Sequence, residues 1–344
     1  MSHLTTSGTG DSTGSTLPEP DRRSPNDGPR RKARGSLTRS DARAGLTLIS
    51  PTLIIVIFMV VLPILWTVML AFRPLSLLNL ATSGLLGTDF TLDNFQTVVT
   101  ESGFAGSLLT TLVYSVLGTA SAIGLGLVAA LAVRRAFPGR TFVRAAMLLP
   151  YVAPVVAAAF VWRTMLDPQF GIVNHWGGRL LGWDDPIAFL SQRSSEVSLL
   201  GLNFSLPTAL LSVIAFEAWR SFPFAFLFLT ARLQAVPATL EEAARVDGAT
   251  PSQRFRHVLL PQLLPTIAVL AILRFIWTFN SFDDIYLLTG GGAGTEVVSV
   301  RVFNYLTARG DIGLASAQAL VLAAILAVLV GLYLKRFAPQ EEKT

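Results

Sequence analysis

The sequence contains no cysteine. That excludes disulfides, thiol nucleophiles, iron–sulfur clusters and cysteine-ligated zinc, and leaves the compartment open. Histidine is nearly as scarce. His3, His175 and His257 are scattered along the chain, so no metal site and no catalytic constellation is expected. Charge is thin too: 14% of the 344 residues are charged and 51% are hydrophobic, with a mean hydropathy of +0.55. Soluble domains carry more charge than this, so the composition is that of a membrane protein. Lys32, Lys335 and Lys343 are the only lysines among 27 basic residues. The net charge of +5 and the pI near 10 would suit nucleic acid. The positives, however, flank apolar segments, as a membrane protein requires, and no nucleic-acid partner is expected.

A nucleotide-binding loop is also missing. No G-x4-G-K-[ST] occurs, and GTGDSTGST at 8–16 has the wrong spacing and no lysine. Gly124-x-Gly126-x-x-Ala129 superficially matches a dinucleotide fingerprint. It lies inside an apolar run, where small residues serve helix packing. Any nucleotide that drives this protein is therefore expected on a partner.

Residues 1–43 have almost no large apolar side chains and end in Arg30, Arg31, Lys32, Arg34, Arg39 and Arg43. Such a segment cannot offset its ordering entropy and reads as a disordered basic tail. The apolar run after it is too long for a signal peptide and lacks a small-residue cleavage site, so it reads as a retained first span. Six apolar segments follow, near 46–72, 107–133, 142–166, 208–232, 262–284 and 312–335. Each approaches the ~20 residues that cross a bilayer as a helix. The expected organisation is a tail (1–43), a first span (44–72), an outer loop (73–106) and a five-helix core (107–336). A polar loop at 237–261 interrupts the core, and a short tail (337–344) ends the chain.

Arginine and lysine set the orientation. The basic tail, Arg134, Arg135 and Arg140, then Arg245, Arg254 and Arg256, then Lys335, Arg336 and Lys343 fall on one side. That side is expected to be cytoplasmic, with both termini on it. The opposite side holds DPQFGIVNHWGG and WDDPIAFL, which suit short interfacial helices. Trp176 and Trp183 there suit membrane-surface anchors or substrate contacts.

The loop after span four is a designed object. Pro237 ends the preceding helix. Thr239 and Glu242 have the spacing of a capping box for a helix over 240–247. Gly248 sits where a left-handed residue would end it. Thr250 and Gln253 repeat the capping-box spacing, with Pro251 at the first helical position. Phe255, Val258 and Leu259 give the second helix an apolar stripe, and Pro261 and Pro265 mark re-entry into the membrane. So much capping implies a fixed shape, for docking a partner or for lying on the membrane interface. A DNA-binding helix-turn-helix does not suit a short loop pinned between two spans.

Glu242-Ala243-Ala244, Gly248, Val258 and Leu260-Pro261 have the spacing EAA-x3-G-x9-[IV]-x-LP. This resembles the EAA motif of permease subunits of binding-protein-dependent ABC importers, with Val for Ile as the one departure. The longer form, Glu241 to Ala249 with Arg245 and Asp247, is similar to the carbohydrate-uptake branch. The segment Phe90 to Phe95, the run Trp219-Arg220 to Pro223-Phe224, and Arg274 followed by Phe282 to Gly292 also resemble that branch. Thr110-Thr111 departs from its usual Asn-Thr. The resemblance spans about residues 46–335. It implies an all-α membrane protein with six transmembrane helices and the type I importer permease fold. It implies that Glu241, Glu242, Ala243, Ala244, Arg245, Asp247, Gly248, Leu260 and Pro261 contact a cytoplasmic ATP-binding subunit. It further implies a second permease subunit, an extracytoplasmic solute-binding protein and a sugar substrate, with ATP and Mg on the partner and no cofactor on this chain.

Ionisable residues inside spans are costly and invite a functional explanation. Glu217, Arg220 and Arg274 lie about 9 to 13 residues, roughly 13–20 Å, from the outer edge. Glu217 can pair with Arg274 or Arg220, either as a tie between spans four and five or as a border of the solute pathway. Trp277, Asn280 and Ser281 supply an aromatic face and neutral hydrogen-bonding groups suited to a sugar. Trp277 also suits ordinary packing. Asp283 is a further pathway candidate at the outer end, where Asp283 and Asp284 also suit helix-end groups. The expected function is alternating-access import of a sugar or polyol without enzymatic activity of its own. The alternative is a secondary carrier or channel, which would show an internal repeat; none is visible.

Overall fold

The computed structural model describes residues 39–83, 89–181, 185–199 and 202–337. The expected tail up to residue 38, residues 338–344 and Trp183 lie outside the described residues. The chain divides into two units, residues 1–59 and 60–344. In the first, the described part is helical from Arg39, so the helix begins before the expected boundary at residue 44.

Among the described residues, five helices are long and apolar enough to cross a membrane. They are span 1 (Thr47–Ala71), span 2 (Phe104–Ala132), span 4 (Thr208–Ala235), span 5 (Pro251–Phe279) and span 6 (Ile312–Arg336). The expected third span is instead a bent pair, Arg140–Val152 and Val155–Met165, with 97° between its halves. The cause is local. Pro154 disfavours helical geometry at the residue before it, and Ala153 is extended at φ −63°, ψ 136°. Val155–Met165 has 11 residues, about 16 Å, too short to cross alone.

Two other prolines widen helices without breaking them. Ile57–Val61 and Phe255–Leu259 are π-helical turns, and Pro63 and Pro261 each follow two residues after the turn's last residue. Proline offers no N–H to the carbonyl four residues earlier and crowds it, and a wider turn relieves both. Span 5 thus runs unbroken from Pro251. The second short helix expected from Thr250 is therefore continuous with span 5, because the widened turn absorbs Pro261 and Pro265 sits inside the helix.

Spans 2, 4 and 5 form the centre of the second unit. Near the Arg134 end, Ile123, Phe226, Leu229, Leu233, Leu263 and Leu270 make one buried cluster. Near the Glu101 end, Tyr114, Ala158, Val213, Phe216 and Ile285 make another. Spans 2 and 4 approach closely at Gly126. A Cβ there would fall 2.7 Å from the Ala225 Cβ and 2.8 Å from the Phe226 nitrogen. The small-residue reading of this run thus holds at Gly126. Gly124 faces open space.

The Glu101 end is closed by short helices. Asp93–Thr100 packs against span 6, and the buried Asn94 side chain donates to the carbonyls of Ala71 (2.9 Å) and Arg73 (2.7 Å). Val298–Thr307 starts where the Thr111 hydroxyl accepts from the Val298 amide at 3.0 Å. Glu101 accepts a hydrogen bond from Tyr305 and pairs with Arg309 (2.7 Å) and Arg301 (3.2 Å). Burial pushes the Glu101 carboxyl up, but the tyrosine and the two guanidiniums outweigh it and hold it below its ordinary value. Of the expected interfacial helices, Ile172–Leu181 forms, with Trp176 exposed. An antiparallel hairpin, Ser195–Leu199 with Leu202–Leu206, was not anticipated.

Candidate functional site

The loop between spans 4 and 5 is a short helix, Ala238–Val246, followed by a tight turn. Its start corrects the expected capping box. Pro237 occupies the N-cap and no side chain caps the helix, because Thr239 and Glu242 already lie inside it. Its end is as expected. Gly248 is left-handed at φ +78°. The Gly248 amide donates to the Arg245 carbonyl (3.0 Å) and the Ala249 amide to the Ala244 carbonyl (2.9 Å). These are the paired bonds of a Schellman motif. The second capping box is present. The Gln253 amide donates to the Thr250 hydroxyl, and Gln253 Oε1 accepts from the Thr250 amide at 2.7 Å.

The loop is fastened at both ends. Glu241 forms an ion pair with Arg134, just beyond span 2. Arg232 of span 4 donates to the carbonyl (3.0 Å) and side chain (3.3 Å) of Gln262 at the base of span 5. Glu242, Ala243, Arg245, Asp247, Gly248 and Pro261 are exposed, and Glu241, Ala244 and Leu260 are half-buried. Val246 is 88% exposed, an apolar side chain left uncovered on this helix.

The second constellation is buried between spans 2, 4 and 5. Glu217 forms an ion pair with Arg274, and the Arg220 guanidinium stands 3.5 Å from it. Of the two partners the sequence left open, the structure places both beside Glu217. Ser221 and Thr278 donate to the same Glu217 oxygen at 3.0 and 3.1 Å. Gly118 admits the carboxylate, since a Cβ there would lie 3.2 Å from the Glu217 Cγ. The sequence reading took Asp284 for a helix-end group and did not single out Tyr114, Ser221 or Thr278. Asp284 is fully buried, accepts from Arg220 (3.0 Å) and Tyr114 (3.3 Å), and has Ser281 at 3.5 Å. Asp283, the candidate, is exposed instead. Adjacent residues at a helix start point in different directions, and only neighbouring spans decide which one is buried. Two guanidiniums thus face two carboxylates, a balance that a low-dielectric interior demands.

An exposed face borders this cluster. Trp277 is about half exposed, and its ring lies 5.1 Å from Phe224 and 5.7 Å from the Arg274 guanidinium. Phe224 continues the row to Phe228 at 4.8 Å and to Tyr151 of the broken span at 6.1 Å. Asn280 is exposed and donates to the Ile276 carbonyl at 2.9 Å, and Ser281 is half-buried. Tyr151 and Phe228 were not singled out beforehand, and Phe224 entered only as part of the Trp219–Phe224 run. Their spacing within apolar runs is indistinguishable from packing until three helices bring them together. Among the described residues no cluster of metal-ligating side chains occurs.

Residues 122–339 match the family of binding-protein-dependent transport system inner membrane components. The chain belongs to this family. It is 33% identical over 300 residues to the inner membrane ABC transporter permease protein YcjO of Escherichia coli, covering 87% of this chain and 95% of that one. It is 32% identical over 297 residues to the trehalose/maltose transport system permease protein MalF of Thermococcus litoralis, covering 86% and 94%. The fold resembles the crystal structure of a bacterial ABC transporter involved in alginate import. The TM-score is 0.70 at 22% identity, over 87% of this chain and 98% of that one. The protein is a multi-pass permease component of the cytoplasmic membrane, and the carrier-or-channel alternative falls away. Within the family match, the EAA-type loop is the exposed, fastened structure described above.

Proposed function

We propose that this chain is the sugar-translocating permease subunit of an ATP-driven importer. The observation that carries the proposal is the loop 237–261. It presents Glu242, Ala243, Arg245 and Asp247 to solvent on a helix tied to span 2 at Glu241 and ended by the Gly248 turn, after which the chain enters span 5 at Pro251. That is the mechanical form of a lever, and a cytoplasmic ATP-binding subunit is its partner. ATP and Mg reside on that partner. Its closing movement pushes the loop, and the spans rock to expose the substrate site to one side and then the other. A solute-binding protein delivers substrate at the Glu101 end, and a second permease subunit completes the pathway.

Sugar as substrate rests on the trehalose/maltose relative and on the chemistry of the exposed face. Trp277 and Phe224 offer ring faces, and Asn280 and Ser281 offer neutral hydrogen-bonding groups. Arg220 and Asp283 border them. Glu217 and Arg274 are too buried to meet a solute and hold spans 4 and 5 in register. The test is uptake of a panel of labelled saccharides into proteoliposomes holding the reconstituted complex. Uptake of at least one saccharide that requires ATP, and that Trp277→Ala weakens through KM, is the expected result. Uptake driven by an ion gradient without ATP, or no transport of any saccharide, would contradict the proposal.

A further inference from the structure

At the loop end of the bundle a cavity of about 780 Å³ opens between the end of span 2, the first half of the broken span and the loop. Six arginines line it: Arg134, Arg135, Arg140, Arg144, Arg245 and Arg254. Against them stand two carboxylates, Glu241 and Glu242, and Glu241 is already paired with Arg134. So much like charge in one concavity is unfavourable unless an anion joins it.

Two arginines are held in place by neutral groups. Arg140 donates to the carbonyls of Val133 (2.8 Å) and Arg134 (3.0 Å), and Arg144 to the Val133 carbonyl at 3.4 Å. Carbonyls fix the orientation of these guanidiniums and leave their charge uncancelled. The Nε groups of Arg144 and Arg254 are buried without an acceptor among the described residues. Arg135 makes neither hydrogen bond nor ion pair among them and lines the same space. Planar, multiply donating guanidiniums converging on one cavity match the geometry of a phosphate.

The position identifies the source of that phosphate. The arginines begin two residues past the apolar end of span 2 at Ala132, at the depth where lipid headgroups lie. The short helix Arg140–Ala146 that carries Arg140 and Arg144 also carries Phe142, 78% exposed, and Leu149 follows at 66%. Exposed apolar side chains beside buried-facing arginines suit contact with acyl chains, not with water. We infer that this arginine-lined cavity is a binding site for the headgroup phosphate of an anionic glycerophospholipid in the leaflet at the loop end. Basic pockets between helices at this depth take such headgroups generally.

Native mass spectrometry of the full chain purified in detergent tests the inference, with phosphatidylglycerol and phosphatidylcholine as probes. Wild type retains phosphatidylglycerol preferentially. Arg140→Gln with Arg144→Gln lowers that retention about tenfold, while the Lys pair at the same positions keeps most of it and Arg179→Gln changes nothing. Arg135→Gln disturbs no internal contact and lowers retention about threefold, which keeps the test decisive if the double variant does not fold. Equal retention of the two lipids, or retention unmoved by Arg135→Gln, overturns the inference. So does displacement of phosphatidylglycerol by millimolar inorganic phosphate, which assigns the cavity to a soluble anion.

Discussion

Glu217 of span 4 and Arg274 of span 5 form an ion pair inside the membrane-spanning region, with 1% and 6% of their side chains exposed. Around them Arg220, Asp284, Tyr114, Ser221 and Thr278 extend the charges and hydrogen bonds. Removing one partner leaves a charge buried without compensation. Glu217→Ala or Arg274→Ala is expected to cost about 3–5 kcal/mol each. The double variant costs less than the sum, because it leaves neither charge stranded. Thermal unfolding of the detergent-purified chain measures this. Additive losses would show that the two residues do not act as a pair.

The two threonines of the loop separate by structure where the sequence treated them alike. Thr250→Ala removes a hydrogen-bonded N-cap and is expected to cost about 1 kcal/mol. Thr239→Ala removes nothing that caps, so its effect stays within about 0.5 kcal/mol. Hydrogen exchange is the measurement, read at the amides of residues 252–256 for Thr250→Ala and of residues 239–247 for Thr239→Ala. Faster exchange over 239–247 in Thr239→Ala, matching that over 252–256 in Thr250→Ala, would restore the first capping box.

Gly126 and Gly124 make a matched contrast. Gly126→Val places methyl groups against the Ala225 and Phe226 backbone and forces spans 2 and 4 apart, costing about 1–3 kcal/mol or more. Gly124→Ala meets open space and gains up to about 1 kcal/mol of helix propensity. Melting temperatures that fall equally would count against the seam.

At the Glu101 end the carboxyl is held below its ordinary value by Tyr305, Arg309 and Arg301, against burial. A depressed carboxyl contributes stability that is fully present above its ordinary value near 4.5. That contribution is lost as pH falls through the lower folded value. Glu101→Gln is therefore expected to lower stability at neutral pH and to flatten the acid limb of a stability–pH profile. An unchanged acid limb would remove Glu101 from the network.

Much of this was legible in the sequence because lipid makes strong demands. Six apolar runs, a helix-ending Gly248 and the Thr250 box follow from backbone satisfaction and local capping, which are near-neighbour matters. What the sequence hid depends on neighbours far along the chain. Pro154 breaks the third span at an extended Ala153, whereas Pro223 and Pro265 sit inside intact helices, and nothing local to the sequence separates the two cases. Thr239 has the spacing of a cap, but Pro237 starts the helix first. Asp283 and Asp284 are indistinguishable as neighbours until Tyr114 and Arg220 select Asp284. The hairpin at 195–206 is short, and its alternation covers too few residues to stand out from a polar loop.

The account turns on loop 237–261 transmitting a partner's movement, and Gly248 is where its shape is most exposed to a single change. At φ +78° with open space around it, Gly248 can be replaced by Asn with little strain, whereas Pro cannot adopt the conformation. The decisive measurement is co-purification of the ATP-binding subunit together with ATP-dependent uptake for wild type, Gly248→Asn, Gly248→Pro and Glu242→Lys. The account predicts near-normal association and uptake for Gly248→Asn, and loss of both for Gly248→Pro and Glu242→Lys. Intact association and uptake in Gly248→Pro and Glu242→Lys would contradict it.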